Sequence, residues 1–152
     1  MAGIFISYRR DDSQGFAGRL ADDLTEIFGP DQVFRDVEIP AGYDFTEVLS
    51  RAVAACDVLL VVIGRSWQVP SEHTAKSRLF DPGDRVRAEI EAAFDHGKHV
   101  IPVLVAGANM CTAAELPESI AHLSKMQAFK MTDRHWDDDI RDLVATLAQS
   151  RS

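Results

Sequence analysis

Asp57 to Gly64 reads DVLLVVIG, with no polar residue between Val58 and Ile63. A strand with one face in water alternates apolar and polar side chains, because successive residues point to opposite faces. A run without alternation is covered on both faces, and such strands belong to parallel sheets sandwiched between helices. This one segment therefore constrains the whole fold.

The rest of the chain supplies the pieces such a sheet needs. Gly3 to Ser7 (GIFIS) is a short buried strand, followed by polar RRDDS, in which Asp12 or Ser13 is available to cap a helix. From Gly15, Phe16, Leu20, Leu24, Ile27 and Phe28 recur at helical spacing until Gly29-Pro30 stops them. Gln32 to Arg35 is a short second strand, and DVEIPAGYD a loop punctuated by Pro40 and Gly42. Asp44 and Glu47 have capping-box spacing ahead of a helix through Phe45, Val48, Leu49, Ala52 and Val53. A third helix spans Asp84 to His96 and is closed by Gly97; His99 to Val105 is a further buried strand. Ala106 to Lys125 reads as loop with a short helix at Pro117 to Leu123, and Gln127 to Met131 as an edge-like strand. Trp136, Ile140, Leu143, Val144 and Leu147 mark a last amphipathic helix.

Alternating strands and helices require right-handed crossovers. The expected fold is a flavodoxin-like α/β sandwich, a five-stranded parallel sheet of order 2-1-3-4-5 with helices on both faces. At 152 residues the chain suits a single domain, either a whole small protein or a module of a larger one. No apolar run approaches the roughly 20 residues of a membrane helix. No signal peptide is evident, so a cytoplasmic location is expected. A net charge of −8 argues against nucleic acid as the main partner. Cys56 and Cys111 are far apart, and the five histidines have no ligand spacing, so no metal is expected.

In a sheet of this order ligands bind beyond the carboxyl ends of the strands, where the strand order reverses between strands one and three. That rule selects Ser7-Tyr8-Arg9-Arg10-Asp11-Asp12 and Gly64-Arg65-Ser66-Trp67. Two arginines and two aromatics around one crevice suit a nucleotide; equally, the aromatics close the core edge and the arginines are solvated. A phosphate-accepting receiver is excluded, because strand three ends Val62-Ile63-Gly64-Arg65 with no carboxylate. A classical dinucleotide site lacks its Gly-x-Gly-x-x-Gly after strand one. On the third helix, Arg85 and Glu89 lie along one shoulder of the apolar stripe, and Arg87 and Glu91 along the other. Both pairs read as i,i+4 ion pairs, worth roughly 0.2–0.5 kcal/mol, and periodicity does not decide which glutamate faces a ligand.

The strings IFISYRRDDS, FRDVEIPAGYDF, ACDVLLVVIGRSW, DRVRAEIEAA and HVIPVLV, in this order, resemble a Toll/interleukin-1 receptor (TIR) domain of the bacterial kind. The resemblance runs from Gly3 to about Leu147 and includes RHWDDDI in the last helix. It implies that the loop Asp36 to Tyr43, with Pro40 and Gly42, serves self-association with other TIR domains. It implies an NAD⁺ nucleosidase, which cleaves the nicotinamide–ribose bond to give nicotinamide and ADP-ribose or a cyclic isomer. NAD⁺ is then substrate and no cofactor is needed. The family's essential glutamate lies in a Trp-x-x-x-Glu pattern, which maps onto Glu89 in Arg85-Val-Arg-Ala-Glu89, with Arg85 in the tryptophan's place. The expected substrate-binding set is Tyr8, Arg9, Arg10, Asp36, Ser66, Trp67 and Arg85, with Tyr8, Arg9 and Arg10 at the adenine and phosphate end and Ser66 and Trp67 nearer nicotinamide. The resemblance implies that self-assembly activates the enzyme in defence signalling; the alternative is a non-catalytic adaptor that binds other TIR domains in signal transduction.

Overall fold

The structure, a computed structural model, describes residues 3–150. Five strands, β1 (Gly3–Ser7), β2 (Val33–Phe34), β3 (Cys56–Ile63), β4 (His99–Leu104) and β5 (Phe129–Lys130), pair in the order β2-β1-β3-β4-β5. Every pairing is parallel. The expected strand order and sandwich are thus found. Helices α1 (Arg10–Phe28), α2 (Phe45–Ala54) and α3 (Arg85–Asp95) connect the first four, and α4 (Trp136–Ser150) follows β5.

The unbroken apolar run of β3 is explained by the two cores it serves. Leu59, Val61 and Ile63 pack on one face with Phe5 of β1, Val53 of α2, and Val86, Ile90 and Ala93 of α3. Val58, Leu60 and Val62 pack on the other with Ile4 and Ile6, Leu20 and Leu24 of α1, and Trp136, Leu143 and Leu147 of α4. Each strand side chain thereby leaves water whichever way it points, at roughly 1.5–3 kcal/mol for each large aliphatic group.

The weaker elements differ from expectation. β2 has two residues rather than four, because a 3₁₀ turn, Pro30–Gln32, precedes it and Asp36, at φ 55°, follows it. β5 keeps only Phe129 and Lys130 of Gln127 to Met131. The expected short helix at Pro117 is a 3₁₀ segment, Glu118–Lys125. At α2, Asp44 accepts from the Thr46 amide at 2.9 Å, but Glu47 bonds Arg51 at 2.8 Å, so half of the expected capping box forms. Among the described residues no helix is long and apolar enough to cross a membrane.

α1 starts earlier than its apolar periodicity suggests, at Arg10, with a local departure from helical angles at Ser13. Asp12 does not cap this helix. Its carboxylate crosses to the end of β3 and accepts from the amides of Gly64 and Ser66, both at 2.7 Å. A side chain thus fills the amide cradle beside the point where the strand order reverses, the place where such folds often hold an anion. Gly64 has no room for more: a Cβ there would lie 2.5 Å from Oδ1 of Asp12. Gly64→Ala is therefore expected to cost about 1–3 kcal/mol, through overpacking or loss of the Asp12 bonds, read as a lowered urea midpoint. An unchanged midpoint would show that Asp12 is not needed to pin this loop.

Candidate functional site

A cleft of about 760 Å³ opens beyond the carboxyl end of β1. Its walls are the turn from β1 into α1 (Tyr8 to Arg10), the loop after β2 (Asp36 to Glu38), the segment leading into α3, and α3 itself with Arg85 and Glu89.

Glu89 is anchored from two directions. α3 begins at Asp84, whose side chain accepts from the Arg87 amide as an N-cap. Arg9, just after β1, grips the same carboxylate with two N–H groups at 2.8 and 3.0 Å and gives Nε–H to the Trp67 carbonyl at 2.9 Å. Both side chains of this ion pair are 3% exposed. With α3 fixed against β1, Glu89 meets Ser7, the last residue of β1, whose hydroxyl donates to Oε1 at 2.7 Å. Glu89 is only 8% exposed yet lines the cleft. Burial pushes its carboxyl up to about 8, against the smaller downward pulls of the Ser7 hydroxyl and the Arg85 charge. The two shoulders of α3 are therefore unlike. Arg87 and Glu91 do form the i,i+4 ion pair, at 3.1 Å, whereas Arg85 and Glu89 do not pair. Arg85 donates instead to the Val37 carbonyl at 2.6 Å, tying the loop after β2 to the cleft.

The loop is held at a second point. Tyr8 donates its hydroxyl to Asp36 Oδ1, and burial, followed by that bond, raises the phenol above its ordinary range. Arg10 approaches the same aspartate at 3.7 Å and stays largely in solvent.

Of the residues expected from sequence, Glu89, Tyr8, Arg9, Arg10, Asp36 and Arg85 lie around this one cleft. Ser66 and Trp67 are not part of its lining. Trp67 is 1% exposed and packed in the core with Ile63, Leu79 and Val86, so the expected aromatic surface for a ligand ring is not available there. Ser66 is exposed, and its amide is taken by Asp12. Arg9 also departs from expectation: its guanidinium is sequestered by Asp84 and is not free to hold a phosphate. Sequence reasoning did not single out His73, Arg78 and Asp84, which line the cleft from the segment between β3 and α3. The signal for them was the length of that polar stretch, since long ordered loops in compact domains are commonly functional. Among the described residues no group of three or more His, Cys, Asp or Glu side chains is placed to hold a metal ion.

Such a site offers a deep carboxyl group, a hydroxyl beside it and arginines at the rim. A neutral carboxyl there donates a proton or a hydrogen bond; once ionised it accepts from ligand hydroxyls and opposes positive charge.

No curated protein sequence matches the chain. Among solved structures, the TIR domains in "Structure of the activated Roq1 resistosome directly recognizing the pathogen effector XopQ" share the fold, with a TM-score of 0.67 and 13% identity over 97% of this chain and 99% of that one. A CMP N-glycosidase of Clostridium botulinum, BcmB, is similar with a TM-score of 0.51 and 14% identity, over 94% of this chain and 98% of that one. At such identities the likeness concerns the fold. Residues 4–144 match the TIR domain family, and with nearly the whole chain covered the protein belongs to it.

Proposed function

We propose that this TIR domain cleaves NAD⁺ between nicotinamide and ribose, releasing nicotinamide and forming ADP-ribose or a cyclic isomer, and that Glu89 is the catalytic residue. The observation that carries the reading is the Glu89 carboxyl held in the cleft by Ser7. Breaking the bond leaves its electron pair on the nicotinamide nitrogen, and positive charge develops on the ribose. Nicotinamide leaves neutral, so no proton donor is required. An ionised Glu89 opposes the developing charge and accepts from ribose hydroxyls, binding the transition state more tightly than the ground state. Water then adds to the anomeric carbon and loses a proton; in cyclisation a nucleophilic atom of the substrate's own adenosine moiety takes that place. NAD⁺ is the substrate and no cofactor takes part. Self-association through the exposed loop carrying Pro40 and Gly42 switches the activity on in cytoplasmic defence signalling. Gly42 supports a role that needs this particular turn, because its φ of 85° is one other residues rarely adopt.

A second reading is favoured by one observation: with its carboxyl pushed up to about 8, Glu89 is protonated at neutral pH, and Arg85 sets a cation near it. That arrangement suits a nucleotide with a neutral base, which needs a proton to leave, as in the reaction named for the Clostridium protein. An assembled sample that turns over neither substrate but still binds other TIR domains would favour an adaptor without catalysis.

Glu89→Gln keeps the shape and removes the charge. Nicotinamide release from NAD⁺, followed by chromatography on concentrated, assembled protein, is expected to fall at least a hundredfold in this variant. Retained turnover would take Glu89 out of the mechanism. The pH profile tests its protonation state. If the carboxylate acts, activity rises with pH through a value near 8, where Glu89 loses its proton; activity falling over that range indicates the protonated acid and a neutral-base nucleotide. Because the Ser7 hydroxyl favours the ionised form, Ser7→Ala should move the rising limb to higher pH, with Ser7→Thr restoring it. A limb that stays in place would show that Ser7 only fills space.

A further inference from the structure

Four arginines line the cleft, and they are not equivalent. Arg9 is consumed by Asp84 and the Trp67 carbonyl. Arg85 reaches the Val37 carbonyl beside Glu89. Arg10 and Arg78 remain, with side chains 68% and 43% exposed. Each has an acidic neighbour only at 3.7 Å, Asp36 for Arg10 and Asp11 for Arg78, beyond good hydrogen-bond distance.

Arg78 stands on a built support. The Arg78 amide donates to the Val69 carbonyl at 2.7 Å, and Leu79 beside it is fully buried. From α3, Arg87 directs Nη1 at the carbonyls of Leu79 and Phe80, at 3.4 and 3.3 Å. Ser71 closes the same segment by donating to Asp81 at 2.6 Å. A long polar stretch is thereby fixed as a wall of the cleft, with the half-exposed Arg78 guanidinium among its lining. Two such groups, each offering several N–H donors, match the oxygens of a phosphate or diphosphate and little else in a nucleotide.

We infer that Arg78, together with Arg10, forms the phosphate-binding rim of this cleft, so that its ligands are phosphorylated nucleotides rather than free nucleosides. Arg78 thus takes the part for which Arg9 is unavailable, and Asp11 competes with the ligand for it. The inference rests on the nucleotide reading of the cleft, but it predicts anion binding whether or not the glycosidic bond is cleaved.

Calorimetric titration of the full chain with inorganic pyrophosphate, ADP-ribose and adenosine separates the two. Arg78→Ala is expected to weaken pyrophosphate and ADP-ribose roughly tenfold to a hundredfold, the loss of one or two charge-assisted hydrogen bonds, and to leave adenosine unchanged. Asp11→Asn should act in the opposite direction and tighten both anions, which a merely structural role for Arg78 would not produce. Pyrophosphate that binds through Arg78 while assembled protein leaves NAD⁺ intact would support the rim and contradict the NAD⁺ reading. Native-like anion binding by Arg78→Ala, or no anion binding by the native chain, would overturn the inference.

Discussion

The buried ion pair between Arg9 and Asp84 is the interaction on which the site depends. Both groups are almost wholly out of water, so each needs the other: a lone buried charge costs several kcal/mol, and breaking such a pair typically costs about 3–5 kcal/mol. The pair joins the first residues after β1 to the first residue of α3, 75 positions apart. Asp84 at the same time caps α3, which fixes where the helix starts and hence which side chains face the sheet. Ser7 and Glu89 meet because of that registration. Asp12 performs a related task one turn further on, holding the end of β3 by two amides beside the cleft.

Much of this was legible in the amino-acid sequence, and the parts that were not have a common cause. The unbroken β3 and the amphipathic α3 and α4 are local patterns, and the sheet order follows from their alternation. β2 and β5 are short edge strands whose length is set by neighbouring turns, so their ends could not be read from propensity. Periodicity on α3 left Glu89 and Glu91 indistinguishable. What separates them is Ser7, 82 positions away, against Ser119 and Arg87 for Glu91. Arg9 and Trp67 were expected at the ligand because they flank the point where the strand order reverses. Both are turned inward, Trp67 into the core and Arg9 onto the Trp67 carbonyl and Asp84. A sequence shows that an arginine is near a crevice, not whether a buried aspartate has already claimed it.

The cleft that results is mixed in charge. Arg10, Arg78, Arg85 and Asp36 stand partly in solvent, while Arg9, Asp84 and Glu89 are buried, and their mutual spacing decides which are free for a ligand. Arg85 sits where the family pattern has an aromatic residue, and its bond to Val37 joins the β2 loop to the helix that carries Glu89. A ligand entering here therefore engages the same loop that the family resemblance assigns to self-association. Assembly and binding would be coupled wherever the two arrangements of that loop differ in affinity.

The fold buries Glu89 in the wall of the cleft, where its carboxyl holds a proton to unusually high pH. Titration of its side-chain carbon by ¹³C NMR, assigned by comparison with Glu89→Gln, tests this without any need for activity. A midpoint near 8 is expected, raised by burial. A midpoint in the ordinary carboxylate range, near 4.5, would contradict that burial and leave Glu89 ionised at neutral pH.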